Sequence, residues 1–411
     1  MSSHDVVVVG AGLAGLAAAL RLREKGHEPL VLERSDGPGG RVRTDKTDGF
    51  LLDRGFQVLL TAYPQAQRFL DYDALDLRKF DGGALVRVDD RFHRVADPFR
   101  NPGDAFSSAR APVGNVRDKM AVVKLRNSLR AIDLDDLFAR PETTAIERLT
   151  EAGFSSKMID RFLRPLFTSI ALDHSLKFSS RYLEFIFMML TNGDAAVPAQ
   201  GMGAIADQMA SRLPVGSVRY HADVEEVDHH LVRVDGQSIK ASAVIVATDA
   251  ADATRLTNGE VVDRGSTSVT TWWLAAPGPP LHRPSIVLDG NGTAAINHLA
   301  VLSQVNDRCS PDDRALIAAS TPAVGVDETD LRRSLREWFG AEVDDWETLR
   351  VDAIQHAQPR QDVGIDPDQS VRLTSGLFVA GDHRQHASIN GAITSGCRAA
   401  EAVTARLCRA N

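Results

Sequence analysis

Four consecutive valines, Val6 to Val9, run directly into Gly10-Ala11-Gly12-Leu13-Ala14-Gly15, and this junction restricts the fold more than any other stretch of the chain. An unbroken β-branched run suits a strand buried on both faces in a parallel sheet. Gly10 permits a tight turn, Gly12 lets backbone amides approach a pyrophosphate, and Gly15 lets the next helix lie against the sheet. Ala17 to Lys25 continue that helix, Gly26 supplies its stop, and Glu28 to Glu33 reads as the second strand. Glu33 falls roughly twenty residues after the glycines, where a carboxylate holds a ribose hydroxyl pair. A lone GxGxxG is weak, but strand, helix and acid in register describe a dinucleotide site. Its candidate contacts are Gly10, Gly12, Leu13, Ala14, Gly15, Glu33 and Arg34. The plainer alternative is a glycine-tolerant strand and helix without a ligand.

These glycines alone do not separate NAD from FAD. Asp36-Gly37-Pro38-Gly39-Gly40-Arg41-Val42-Arg43-Thr44 adds paired glycines and two arginines after the acid. An arginine fork suits a second, bidentate contact to pyrophosphate oxygens. At this segment the chain resembles the superfamily of FAD-dependent amine oxidases, phytoene desaturases and protoporphyrinogen oxidases, whose second signature is a GGR segment, here Gly39-Gly40-Arg41. Phe50 to Gly55 looks like that family's strand and turn leading under the flavin ring, which makes Gly55, Phe56 and Gln57 candidate flavin neighbours. Gln57 reads equally as a polar turn residue. Near the other end, Gly376 to Asp382 is an apolar strand ending in Gly381-Asp382, and Ser388-Ile389-Asn390-Gly391-Ala392 opens a helix. The resemblance sets Asp382 beside the ribityl and phosphate region. It places the helix start, with Ile389, Asn390 and Ala392, at the flavin's pyrimidine end, where partial positive charge favours an anionic reduced ring. A strand and helix that merely close the sheet remain the alternative.

The implied fold is α/β: a GR2-type Rossmann-like FAD-binding domain with a parallel sheet, plus an α+β substrate domain, a mixed sheet covered by helices. A chain of 411 residues exceeds the usual single core. The FAD-binding domain is read as 1-64, 195-264 and 353-411, and the substrate-binding domain as 65-194 and 265-352. In the return to the cofactor domain, Ala196 to Gly203 precedes a helix ending near Leu213, and Ala222 to Val227 and Ser242 to Thr248 read as strands. Val224 either meets the adenine through its backbone or is an ordinary buried valine. Ala62 to Asp194 is mostly helical by periodicity: Met120, Val123, Leu125, Leu129 and Ile132 make one face, and Ile159, Phe162, Leu163, Leu166 and Phe167 another. Pro98, Pro102 and Pro112 surround a looser stretch. In the second insertion Val269 to Ala275, Ala295 to Ser303 and Arg314 to Ser320 read as strands, and Asp330 to Phe339 as a helix capped by Gly340.

A formal charge of -8 with no visible basic run or stripe argues against nucleic-acid binding. Cys309, Cys397 and Cys408 have no metal-ligand spacing, so no metal site is expected and a reducing cytoplasm is the natural home. Cys397 lies inside the last helix, whereas the cysteinyl flavin link of monoamine oxidases comes from an earlier segment, so the FAD is expected to be noncovalent. Met1 to Asp5 is too short for a secretory leader. No stretch spans a bilayer, since Phe185 to Leu190 is far too short. The run from Tyr182, apolar around most of a helix, reads as a buried helix rather than a membrane dip. A peripheral membrane contact stays open.

Many amine oxidases of this superfamily use a substrate-domain lysine, but the last lysine here is Lys240, in the cofactor-domain return. Gln57, Phe187, Trp273, His298 and His356 are the candidate pocket residues. His356 is a weak candidate for a general base, with a hydrogen-bonded interior histidine as the alternative. Trp272 and Trp273 are adjacent in a strand, so only one can face the cavity. His383 and His386 read as loop residues. The expected activity is transfer of a hydride equivalent from a C-H bond of a partly apolar small molecule to FAD, with dioxygen or a quinone as electron acceptor. Two alternatives share the fold: a redox-neutral flavin-dependent isomerase, and an escort or dissociation-inhibitor type of binding protein without flavin.

Overall fold

The computed structural model describes residues 3–96, 103, 108, 110–130 and 132–410. Pro98 and Pro102 lie outside these. In chain order the strands are β1 (Ser3–Val9), β2 (Pro29–Leu32), β3 (Thr44–Thr47), β4 (Phe50–Asp53), β5 (Leu59–Leu60), β6 (Leu77–Lys79), β7 (Gly83–Val88), β8 (Arg91–Ala96) and β9 (Ala195–Pro198). They continue as β10 (Val218–Arg219), β11 (Val224–Asp228), β12 (Leu231–Val234), β13 (Gln237–Val246), β14 (Ser266–Ala276), β15 (Ile286–Asp289), β16 (His298–Val301), β17 (Ala315–Thr321), β18 (Glu347–Pro359) and β19 (Phe378–Val379). The helices that matter below are α1 (Leu13–Glu24), α2 (Val116–Leu129), α3 (Arg164–Ala171), α4 (Ser180–Asn192), α5 (Gly203–Ser211), α6 (Glu328–Phe339) and α7 (Ile389–Ala410).

The valine run is the middle of the first sheet, whose order is β10-β2-β1-β13-β12-β11 with β19 beside β13. Val6 to Val9 pair in parallel with Pro29–Leu32 on one side and with Ala243–Val246 on the other. Val6 and Val8 face the core that contains α1, while Val7 and Val9 face the opposite one, which is why every residue of the run is apolar. Helix α7 packs on the same side as α1, and a Cβ at Gly396 would overlap the Ala14 carbonyl oxygen and come within 3.0 Å of the Ala18 nitrogen. Arg21 of α1 closes the seam on Glu401 at 2.9 Å. The first and last of these helices therefore lie backbone against backbone.

The second sheet runs β18-β14-β17-β16-β15-β7-β8 and is mixed, with β15 and β7 parallel and the other neighbours antiparallel. Strand β18 continues unbroken through residue 353, where the sequence suggests a domain boundary. The region read as mostly helical also supplies β6, β7 and β8. Their alternating pattern lasts only a few residues each, too short to stand out against the helices that follow. Helix α2 buries Leu125 and Leu129 of the expected face but not Met120. Met120 is 68% exposed, and the buried residues are Asp118, Ala121, Leu125 and Leu129. Asp118 is drawn in because its carboxylate accepts from Asn115 N at 2.7 Å and from Ser155 N and Oγ at 2.6 and 2.8 Å. Helix α4 is buried on most sides, as its composition suggests, and its Glu184 is held by Arg148 at 2.7 Å and Arg140 at 3.5 Å. No helix among the described residues is long and apolar enough to cross a membrane.

Candidate functional site

The three glycines of the opening motif are glycine for different reasons. Gly10 has φ +104°, and a Cβ there would sit 2.7 Å from the Ala247 oxygen. At Gly15 a Cβ would overlap the Gly10 carbonyl, which α1 approaches directly. At Gly12 it would meet nothing within 4 Å. Gly12 therefore borders open space. The start of α1 supports this: Gly12 is its N-cap and no side chain caps it, so the first amides are presented to the cavity.

The GGR segment lies alongside this loop, with Gly39 N donating to Ala11 O at 2.8 Å. Gly39 and Gly40 take φ +114° and +60°, conformations that bring Arg41 round to face the last strand. Its guanidinium meets Asp382 Oδ1 at 2.6 Å and donates to Ala357 O at 3.1 Å. Glu33 is buried at the end of β2, accepting from Ala11 N at 2.7 Å and from Ser35 N and Oγ at 2.9 and 2.6 Å. Segments from distant parts of the chain thus converge on one space.

From that space a cavity of about 1050 Å³ continues into an apolar chamber. Of the residues singled out in the sequence, Gly10, Gly12, Leu13, Ala14, Glu33, Arg34, Gly40, Arg41, Val224, Gly381, Asp382, Ile389 and Ala392 line its polar part, and Gly55, Phe56, Gln57, Phe187 and His298 line the rest. Gly15 lies behind the lining, where its role is packing. Asn390 is also behind it, its side chain accepting from Gln65 N at 2.9 Å.

Two pocket candidates are corrected. Trp273 is fully buried in the core, with Nε1 donating to Asp352 Oδ2 at 2.8 Å, and Trp272 faces the opposite core, so neither ring reaches the cavity. His356 is exposed and outside the cavity. The cause is an irregularity in the β14/β18 ladder: Val269 opposes Ile354 but Thr267 opposes Gln358, so the extra residues of β18 bulge outward. Ile354, Ala357 and Gln358 line the cavity in its place.

The turn after β4 is firmly held. Gly55 has φ +78° and donates to Asp352 Oδ2 at 3.2 Å, Phe56 N donates to Thr271 Oγ1 at 3.3 Å, and Gln57 Nε2 donates to Arg41 O and Arg54 O at 2.8 and 2.9 Å. His298 is the one histidine lining the cavity among the described residues. Its ring lies 5.4 Å from that of Phe56, Asn297 Nδ2 is 3.3 Å from its Nδ1, and burial pushes its pKa down to about 4. It is a neutral imidazole at physiological pH. His386, read as a loop residue, is buried against Phe185 at 4.1 Å, and burial holds it down at about 3.

Sequence reasoning missed Tyr63, Phe80 and the α2 residues Lys119, Val122 and Arg126, all of which line the cavity. None belongs to a local motif; tertiary packing brings them there. Among the described residues no group of three or more His, Cys, Asp or Glu is arranged to hold a metal ion.

Residues 13–404 match the family model of the flavin containing amine oxidoreductases. The chain belongs to this family. The family's cofactor is FAD, and the open space at Gly12, the uncapped start of α1 and the Arg41 fork fit its pyrophosphate. Among curated relatives, the chain is 29% identical over 320 residues to a phytoene dehydrogenase of Streptomyces griseus, covering 70% of this chain and 60% of that protein. It is 25% identical over 267 residues to the L-amino acid oxidase bordonein-L of Crotalus durissus terrificus, covering 61% and 52%. The alignments span little more than half the length of such relatives. Among solved structures, an oxidoreductase from Methanosarcina mazei superposes with a TM-score of 0.76 at 19% identity, over 97% of this chain and all of that one, a likeness of fold.

Proposed function

We propose that this family member is an FAD-dependent oxidoreductase that takes a hydride equivalent from a C-H bond of a partly apolar small molecule. One observation carries the reading: the phosphate space and the apolar chamber are a single cavity, so a dinucleotide seated on Gly12 and Arg41 extends towards a compartment walled by Phe56, Phe80, Phe162, Leu166, Phe187 and Ile354. FAD, when bound, supplies the electron and hydride acceptor. The chain's own residues do the rest. Amides at the start of α1 and the Arg41 guanidinium hold negative charge on the pyrophosphate, and Glu33, fixed by Ala11 and Ser35, meets the ribose. The N-terminus of α7 places partial positive charge beside Ile389 and Ala392. The anchored Gly55–Gln57 turn floors the site, and the apolar walls exclude water from the reacting bond.

His298 offers one neutral polar contact in this chamber. It orients a substrate hydrogen-bonding group and does not store a proton at neutral pH. No lysine follows Lys240, and Lys119, which lines the cavity, is exposed, so proton handling by a deep lysine is not part of the reading. Dioxygen or a quinone accepts the electrons afterwards. The same reading extends to the division into an FAD-binding part (1-64, 195-264, 353-411) and a substrate-binding part (65-194, 265-352), with β18 crossing between them.

The absorption spectrum of the purified protein gives the first test. A flavin spectrum is expected; a colourless protein that FAD cannot reconstitute overturns the reading. Anaerobic mixing with amines, porphyrinogens and polyenes then identifies the reductant by bleaching, whereas turnover only after prior reduction would establish the redox-neutral isomerase instead. Because His356 is exposed and away from the cavity, His356→Ala is expected to leave kcat/KM within about twofold of wild type. His298→Leu, which removes a buried polar contact, is expected to lower it about tenfold.

A further inference from the structure

Helix α2 forms one lip of the cavity, which Asn115, Asp118, Lys119, Val122, Val123 and Arg126 line. Ala121, Leu125 and Leu129 fix a second face in the core. A third face points away from the protein and carries Val116, Arg117, Met120 and Lys124, all exposed. Val116 is 72% and Met120 68% exposed, and they are the only two large exposed hydrophobics among the described residues to share one helix or strand. They stand four residues apart, one turn above the other. An Asn115/Asp118 capping box fixes the start of the helix, so this face is rigidly presented.

The charge around this face runs against that of the whole chain. Between Arg110 and Arg130 the sequence has six arginines and lysines and one acid, in a chain whose net charge is -8. That acid, Asp118, is buried and hydrogen-bonded inward. The side chains of Arg117, Lys124 and Arg130 have no hydrogen-bond or ion-pair partner among the described residues. No consecutive basic run marks the stripe in the sequence; it appears once the residues are wound on a helix. Exposed apolar side chains set among unpaired cations fit a surface that is anionic outside and apolar beneath, and nucleic acid offers no such interior.

We propose that the α2 lip docks on an anionic lipid surface, with Val116 and Met120 entering the headgroup boundary and Arg117, Lys124 and Arg130 meeting lipid phosphates. The cavity mouth then opens onto the bilayer, and an apolar substrate passes from lipid to chamber without crossing water. Only this last step rests on the function proposed above; docking itself does not.

The test is cosedimentation of the flavin-loaded protein with vesicles of phosphatidylcholine containing phosphatidylglycerol, against vesicles of phosphatidylcholine alone. The protein is expected to pellet with the anionic vesicles only, and to be released as salt is raised. Combining Arg117→Gln, Lys124→Gln and Arg130→Gln is expected to weaken partitioning on the order of a hundredfold. Val116→Ser with Met120→Ser should abolish it while the flavin spectrum and Tm stay as in wild type. Docking is overturned if the wild type remains in the supernatant with anionic vesicles, or if the variants bind as it does. It is also overturned if Val116→Ser with Met120→Ser abolishes self-association in sedimentation velocity and no vesicle binding is seen. Vesicle binding without bleaching by any substrate would count against the proposed activity alone.

Discussion

Gly15→Ala protein is expected to purify without flavin and to melt well below wild type, because its new methyl would overlap the Gly10 carbonyl and drive α1 away from the sheet. Overpacking of this kind costs typically about 1–3 kcal/mol, and here it displaces the turn that holds the phosphates. Gly12→Ala makes the sharper comparison. Its Cβ meets no protein atom within 4 Å, so the apoprotein should fold and melt as wild type does, yet the methyl projects into the space for the pyrophosphate. FAD titration followed by fluorescence quenching, alongside thermal melts of both apoproteins, separates the two effects. Equal losses of stability in the two variants would contradict the assignment of Gly12 to the ligand and Gly15 to packing.

Acid should unfold the protein at unusually mild pH. Burial lowers His298 to about 4, His383 to about 4 and His386 to about 3. Each ordinarily titrates near 6.5, so the unfolded chain takes up these protons first as pH falls. Their contribution is complete above about pH 6.5 and is lost progressively towards pH 4 for His298 and His383 and pH 3 for His386, roughly 3 kcal/mol for each of the first two and about 5 for the last. Asp53 works the other way. Burial raises it to about 6 against the hydrogen bonds from Thr44 and Met202, so its contribution is present at low pH and is lost as pH rises through 6. One carboxyl offsets about one histidine, which leaves a net loss that is large against a typical total of about 5–15 kcal/mol. Circular-dichroism melts between pH 8 and 5 are expected to show Tm falling steadily below about 6.5. His386→Phe, placed against Phe138 and Phe185, should flatten the curve. A wild-type Tm constant from pH 7 to 5 would refute the buried neutral state of these rings.

What the sequence revealed and what it concealed divide along a physical line. Gly10, Gly15, Gly39, Gly40 and Gly381 are legible because each satisfies a local need, a positive φ or a close approach, that no other residue meets as cheaply. Glu33 and Arg41 follow at fixed offsets along the same backbone. His356 and Trp273 were misplaced because their directions depend on how two strands register, and a bulge in β18 is invisible until β14 lies beside it. Met120 was read as core by counting apolar residues, whereas the helix rotates to bury Asp118 and its hydrogen bonds. His386 has no local marker at all. Its burial comes from α4 and Phe138 closing over a segment that reads as a polar loop.

The close seam between α1 and α7 has a bearing on how the cavity is assembled. Helix α1 receives its backing from α7, and Arg41 its partner Asp382 from a position 341 residues further along the chain. Without α7 docked, α1 exposes an apolar face and Arg41 lacks its carboxylate partner. Forming the cleft is thereby tied to the long-range docking of α7 on α1, a non-local contact with a high loop-closure cost.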